Sequence, residues 1–226
     1  MILVYNIYII SLYAWNSYAN EKIKDELLSQ RKDNPVEESK VENLEKFEPL
    51  LKINEDIVGW VQVPNTKVNY PVVKTTDNDF YLHHNIKKEK SVAGSIFMDY
   101  RNNENVEDRN TIIYGHNMKD GSMFKDLVNY KKQEFLKENQ TIEFSNLKDE
   151  MQWMIFSVYI TDTNFNYIRT KFVDDEDYER FLNEISSKSM YDTQTNVSKE
   201  DQIVTLSTCT YEFKNARLAI HAKRVK

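Results

Sequence analysis

A single cysteine, Cys209, stands in 226 residues. No disulfide can form within the chain, which excludes the stapled frameworks of small secreted domains. Glycine and proline are scarce at four each, which excludes collagen-like and low-complexity material. Positive charge is in deficit, with a formal net charge of −6. Phosphate backbones require the opposite, so no nucleic-acid partner is expected. Only four histidines are present; no pair has zinc-site spacing, and one thiol adds too little sulfur for a soft-metal site. Neither a metal nor another cofactor is expected, and no internal repeat is visible.

Hydrophobic residues make up 40% of the chain, enough for the core of one ordinary domain with appendages. Residues 1–19 carry no charged side chain, and their length just reaches that of a bilayer-spanning helix. A charged stretch, Asn20 to Glu26, follows directly. This pattern predicts an uncleaved membrane anchor over 1–19, placing the chain at the cell membrane. A cleaved signal peptide and a buried N-terminal helix are the alternatives. Residues 20–49 are highly charged with sparse apolar positions. Ile23, Leu27 and Leu28 share one helical face, as do Val41, Leu44 and Leu51, and Asp33-Asn34-Pro35 interrupts the pattern. Two helices are predicted, either packed on the body or forming a stalk.

The body runs over 50–226. Strands are predicted at 57–63, 68–73, 95–100, 110–116, 141–144, 151–161, 203–209 and 217–222 from β-branched and aromatic content. A helix is predicted at about 122–137, with Met123, Phe124, Leu127 and Val128 inward. Another follows Asp174-Asp175 and runs through Met190, with Tyr178, Phe181, Leu182 and Ile185 in one stripe. Many short strands without regular βαβ alternation indicate a mainly β fold, a barrel or a sandwich with helical insertions.

Cys209 ends the run Ile203-Val204-Thr205-Leu206-Ser207-Thr208-Cys209. Strand alternation places it on the face of Thr205 and Ser207, away from Val204 and Leu206. Free cysteines are commonly buried and inert, but polar company and a strand-end position favour a reactive thiol. Arg217 opens the next strand, and a hairpin over 210–216 would bring it level with Cys209. A surface ion pair with Glu212 is its ordinary reading. Beside a thiolate its guanidinium would favour ionisation and donate to an oxyanion. Among the histidines, His83 and His84 read as loop residues and His221 as solvent-facing. His116 closes the apolar strand Asn110 to Tyr114 next to Gly115, and is the candidate general acid/base.

Thr205-Leu206-Ser207-Thr208-Cys209, Tyr114-Gly115-His116-Asn117 and Arg217 together resemble the cysteine, histidine and arginine segments of the sortases, cysteine transpeptidases of Gram-positive bacteria. The likeness covers roughly 50–226. The N-terminal helices, the helix before the cysteine strand, Gly59-Trp60-Val61 and Asn69-Tyr70-Pro71-Val72-Val73 are similar to class B. That resemblance implies an eight-stranded sortase-like β-barrel with N-terminal helices, and a membrane-anchored enzyme without a metal, its catalytic domain extracellular and facing the cell wall. Its substrates would be surface proteins bearing a C-terminal sorting pentapeptide of the Asn-Pro-x-Thr-Asn or x-Pro-x-Thr-Gly kind, cleaved after threonine. The acyl group would pass to a peptidoglycan cross-bridge or precursor amine. The resemblance also places substrate contacts at Asn78, Leu82, Thr163, Tyr167, Ile168, Ser207 and Thr210; some relatives carry an acid at the last position. A thiol peptidase with water as acceptor, and a non-catalytic surface-binding module, are the competing readings.

Overall fold

The computed structural model describes residues 2–31 and 40–225. The predicted break at Asp33-Asn34-Pro35 lies outside the described residues. Among the described residues eight strands form in chain order: β1 (Ile57–Gln62), β2 (Asn69–Val73), β3 (Ile96–Met98), β4 (Asn110–Tyr114), β5 (Thr141–Asn146), β6 (Gln152–Thr161), β7 (Ile203–Cys209) and β8 (Arg217–Arg224). They close into a barrel in the order β1-β2-β3-β4-β7-β8-β6-β5. Closure removes the sheet edges that would otherwise invite pairing with other chains. The mainly β expectation is met as a closed barrel.

Two neighbouring pairs are parallel, β2 with β3 and β4 with β7, and the rest are antiparallel. Parallel neighbours cannot be joined by a tight turn and need long crossovers. The crossover from β2 to β3 carries a short 3₁₀ turn, Phe80–Leu82. The one from β4 to β7 includes β5, β6 and the helix α4 (Asp175–Ser187). Both crossovers border the functional groove.

Alternation sorts the strand side chains between the barrel core and two outer clusters covered by helices. Val61, Met98, Ile113, Phe144, Trp153, Ile155, Val204, Leu206 and Ile220 belong to the main apolar core of the barrel. On the outer face of β6, β7 and β8, Tyr159, Ile203 and Ala219 pack against Tyr178, Phe181, Leu182 and Ile185 of α4. The predicted stripe of this helix is thus wholly buried. Asp174 caps it by accepting a hydrogen bond from the Asp177 backbone N–H at 2.7 Å, and Asp175, Glu176 and Asp177 place negative charge at the positive end of its dipole.

The N-terminal helices α1 (Ile2–Gln30) and α2 (Lys40–Ile53) pack on the barrel. Leu27, Phe47 and Leu50 are buried against Ile57, Trp60, Val73 and Phe97. Further ties are Asn20 Nδ2 to Ser91 Oγ at 2.8 Å and Lys24 Nζ to the Lys67 carbonyl at 2.9 Å. The expected anchor over 1–19 is overturned, and the membrane placement with it: among the described residues no helix is long and apolar enough to cross a membrane. Helix α1 is long, but Asn6, Ser11, Asn16 and Ser17 interrupt its apolar part, and its charged second half begins at Glu21.

The predicted helix at 122–137 divides into a 3₁₀ helix at Lys125–Lys131 and α3 (Gln133–Glu138), with Lys132 extended between them. Val128, Asn129 and Tyr130 are weak helix formers, and burial of Tyr130 in the core overrides the regular helix. Met123, Phe124 and Leu127 are buried, as expected, while Val128 is only half-buried.

His221 also departs from its predicted solvent-facing position, since it is 0% exposed. Its face does point away from the barrel interior, but that face is roofed by the α4 layer. Its Nδ1 lies 2.8 Å from Thr205 Oγ1 and its Nε2 2.8 Å from Tyr159 OH. Thr205 already donates to Asn110 Oδ1 at 2.7 Å. Its single hydroxyl proton is therefore committed, so His221 Nδ1–H donates to it and Nε2 accepts from Tyr159. Burial pushes the imidazole pKa down to about 3.

Candidate active site

Three adjacent strands set the site by register. In the parallel pair, Tyr114 of β4 lies opposite Ser207 of β7. In the antiparallel pair, Cys209 of β7 lies opposite Arg217 of β8. Two residues beyond Tyr114 is His116, and two beyond Ser207 is Cys209, so His116, Cys209 and Arg217 come level on one end of the barrel. The contact is tightened by Thr208 Oγ1, which donates to the Gly115 carbonyl at 2.7 Å, and by the Gly115 N–H to the Ser207 carbonyl at 3.2 Å. Glycine is needed at 115, because a Cβ there would fall 2.7 Å from the Phe124 ring and against Ile96.

All three side chains line one groove of about 390 Å³. Cys209 is half-buried rather than sealed. The His116 Nε2 lies 2.9 Å from the Leu82 carbonyl; a carbonyl can only accept, so Nε2 carries the proton and Nδ1 is the free ring nitrogen. Arg217 forms no salt bridge among the described residues, and its Nη1 donates to the Ala216 carbonyl at 3.1 Å. Glu212, its ordinary sequence-level partner, is instead paired with Lys131. The guanidinium is therefore free to meet an anionic or carbonyl oxygen in the groove.

The groove walls come from two segments. Asn78 and Leu82 stand on the β2–β3 crossover, and Thr163, Tyr167 and Ile168 on the loop after β6. Ser207 lies on the floor, hydrogen-bonded to Tyr167 OH at 2.8 Å. Burial raises the Tyr167 phenol pKa, against opposing pulls from the Ser207 hydrogen bond and the Arg217 guanidinium. The phenol therefore stays neutral and serves as a hydrogen-bonding group. Thr210 is the exception among the expected contacts. It does not line the groove; its hydroxyl is taken up by Lys131 Nζ at 2.8 Å and Glu212 at 2.5 Å. It pins the β7–β8 loop to the Lys125–Lys131 turn.

Several residues at the site were not singled out from the sequence. Asn117 Nδ2 donates to the Cys209 carbonyl at 2.9 Å and holds the end of β7. Its position beside His116 was the only signal available. Phe97 and Phe165 contribute apolar wall, and aromatic residues on strands and loops are too common to mark a groove by themselves.

A closed eight-stranded barrel, with an accessible thiol, an imidazole and an unpaired guanidinium gathered at one end, defines a class of cysteine acyl-transfer enzymes. A family model for the sortase domain matches residues 61–225. The chain belongs to the sortase family, the cysteine transpeptidases. It is of the B type: it is 45% identical over 183 residues to sortase B of Listeria monocytogenes, covering 80% of this chain and 74% of that protein. It is 44% identical to sortase B of Staphylococcus aureus, covering 80% of this chain and 75% of the relative. The structure of sortase B from Bacillus anthracis in complex with AAEK1 superimposes with a TM-score of 0.85 at 44% identity, over 94% of this chain and 99% of that one.

Proposed function

We propose that residues 50–226 form the catalytic unit of a transpeptidase that cleaves a C-terminal sorting signal after threonine and transfers the protein to a cell-wall peptidoglycan amine. The Cys209 thiolate attacks the threonine carbonyl carbon, and Arg217 donates hydrogen bonds to the oxygen as it becomes negative. His116 gives a proton to the leaving amine as the carbon–nitrogen bond breaks, leaving a thioester on Cys209. An incoming amine then attacks the thioester, loses a proton to His116 and expels the thiolate. Asn78, Leu82, Thr163, Tyr167, Ile168 and Ser207 hold the pentapeptide against the floor. The substrates are surface proteins bearing such a signal, of the Asn-Pro-x-Thr-Asn or x-Pro-x-Thr-Gly kind.

The observation that supports this reading best is the level alignment of His116, Cys209 and Arg217 on three neighbouring strands, opening into one groove. A staphylococcal sortase B captured in a complex with substrate has the same fold, with a TM-score of 0.76 at 44% identity over 80% of this chain.

The test is a fluorogenic peptide carrying Asn-Pro-x-Thr-Asn, incubated with the protein with and without an added amine. The expected result is a ligated product that depends on the amine, and no cleavage by Cys209→Ala although that variant melts like the parent. Release of free acid alone, whatever amine is supplied, would make the protein a thiol peptidase. Retained cleavage in Cys209→Ala would remove the thiol from the mechanism.

A further inference from the structure

Behind the groove lies a carboxylate that the mechanism does not use. Asp99, just after β3, is 0% exposed. A buried charge is costly unless every oxygen is satisfied, and here five hydrogen bonds converge on it. Arg101 supplies three, from Nε at 2.8 Å, Nη2 at 2.6 Å and its backbone N–H at 3.0 Å. Tyr114 OH donates at 2.8 Å and Asn78 Nδ2 at 3.1 Å. Burial by itself would raise the Asp99 carboxyl pKa, but the bonds from Arg101 and Tyr114 prevail and hold it below the usual carboxylate range.

The donors are not a random set. Asn78 belongs to the β2–β3 crossover and Tyr114 to β4, and both line the groove. Arg101 Nη2 also donates to the Ile168 carbonyl at 3.1 Å, on the loop that forms the opposite wall. Asn78 is fixed at its other end as well, since its Oδ1 accepts the Tyr100 N–H at 3.0 Å. One ion pair therefore ties together three groove-lining residues from three separate segments, and no hydrogen bond joins it to Cys209, His116 or Arg217 among the described residues.

We propose that Asp99 and Arg101 are positioning residues for the peptide substrate, a brace that sets the spacing of the two groove walls without touching the reacting atoms. The proposal rests on the transpeptidase reading above and extends its substrate recognition to two residues that act through the groove lining. Arginine is required rather than any cation: its planar fork spans both Asp99 oxygens and the Ile168 carbonyl, and a lysine ammonium cannot reach all three in that geometry.

The test measures steady-state cleavage of the Asn-Pro-x-Thr-Asn peptide by the parent, Arg101→Lys, Asp99→Asn and the double variant, alongside the alkylation rate of Cys209 by iodoacetamide. Arg101→Lys keeps the charge and should raise KM about tenfold, the scale of one lost charge-assisted hydrogen bond, with kcat within about twofold. Cys209 alkylation and its pH profile should match the parent, which a general loosening of the fold would not leave intact. The double variant should be no worse than the poorer single one, because both remove the same brace. An unchanged KM in Arg101→Lys, a multiplicative loss in the double variant, or a fall in kcat with slowed alkylation would each overturn the proposal. If Asp99→Asn does not fold, Arg101→Lys and Tyr114→Phe, which deletes a single donor hydroxyl, carry the KM measurement. Absence of cleavage by the parent enzyme would refute the transpeptidase reading itself; normal parental cleavage with unaltered KM in the variants would refute only the brace.

Discussion

Replacing His221 with glutamine should change how the protein's stability responds to acid. The ring is sealed between β8 and the α4 layer, with Nδ1–H donating to Thr205 and Nε2 accepting from Tyr159. Burial penalises the charged imidazolium, and the folded-state pKa falls to about 3 from an ordinary 6.5; a proton added at Nε2 would also meet the Tyr159 hydroxyl as a competing donor. Folding thus favours the neutral ring. The stabilisation is complete above about pH 6.5 and drains away as pH falls toward about 3, because only the unfolded chain takes up the proton. The slope is about 1.4 kcal/mol per pH unit in that window, so about 3 kcal/mol is lost by pH 4.5. His221→Gln retains at most one of the two hydrogen bonds and should be less stable than the parent by about 1–2 kcal/mol at pH 7.5. It has nothing to titrate, however, and the other acidic groups are common to both proteins. Urea denaturation from pH 7.5 to 4.5 should therefore show the gap closing and reversing between about pH 5 and 6. Parallel stability curves for the two proteins would refute both the tautomer assignment and the claim that burial governs this ring.

Arg217→Lys should lower kcat/KM for peptide cleavage by about 100-fold, the usual scale for losing an oxyanion donor, with little change in melting temperature; a loss under threefold would argue against a role for the planar fork. Gly115→Ala should destabilise by about 1–3 kcal/mol in chemical denaturation, since the new methyl meets the Phe124 ring and Ile96; a neutral result would mean that β4 and its neighbours shift freely. Asn117→Ala frees the Cys209 carbonyl and should lower kcat more than it changes KM, read from the same peptide assay; an effect confined to KM would contradict a role in holding the strand end.

The sequence was most informative where local periodicity and tertiary environment agree. Strand alternation put Cys209 outside the barrel core with Ser207, and the stripe Tyr178, Phe181, Leu182 and Ile185 marked the buried face of α4. It was least informative where a distant segment decides the environment. Alternation turned His221 away from Leu218 and Ile220, but only the α4 layer makes that side dry. Asp99 reads as the end of a predicted strand and Arg101 as the start of the polar loop after it; their meaning appears once Asn78, Tyr114 and Ile168 converge on them. Thr210 follows the cysteine directly, yet Lys131 and Glu212 draw its hydroxyl away from the groove. The apolar character of residues 1–19 and the charged stretch after them suggested a bilayer span, but Asn6, Ser11, Asn16 and Ser17 leave α1 too polar to cross one.

Strand β7 lies between β4 and β8, and this insertion makes enzymatic output an all-or-nothing report on assembly. A slip of one residue along β4 would turn the sulfur inward and offer the imidazole a threonine hydroxyl instead.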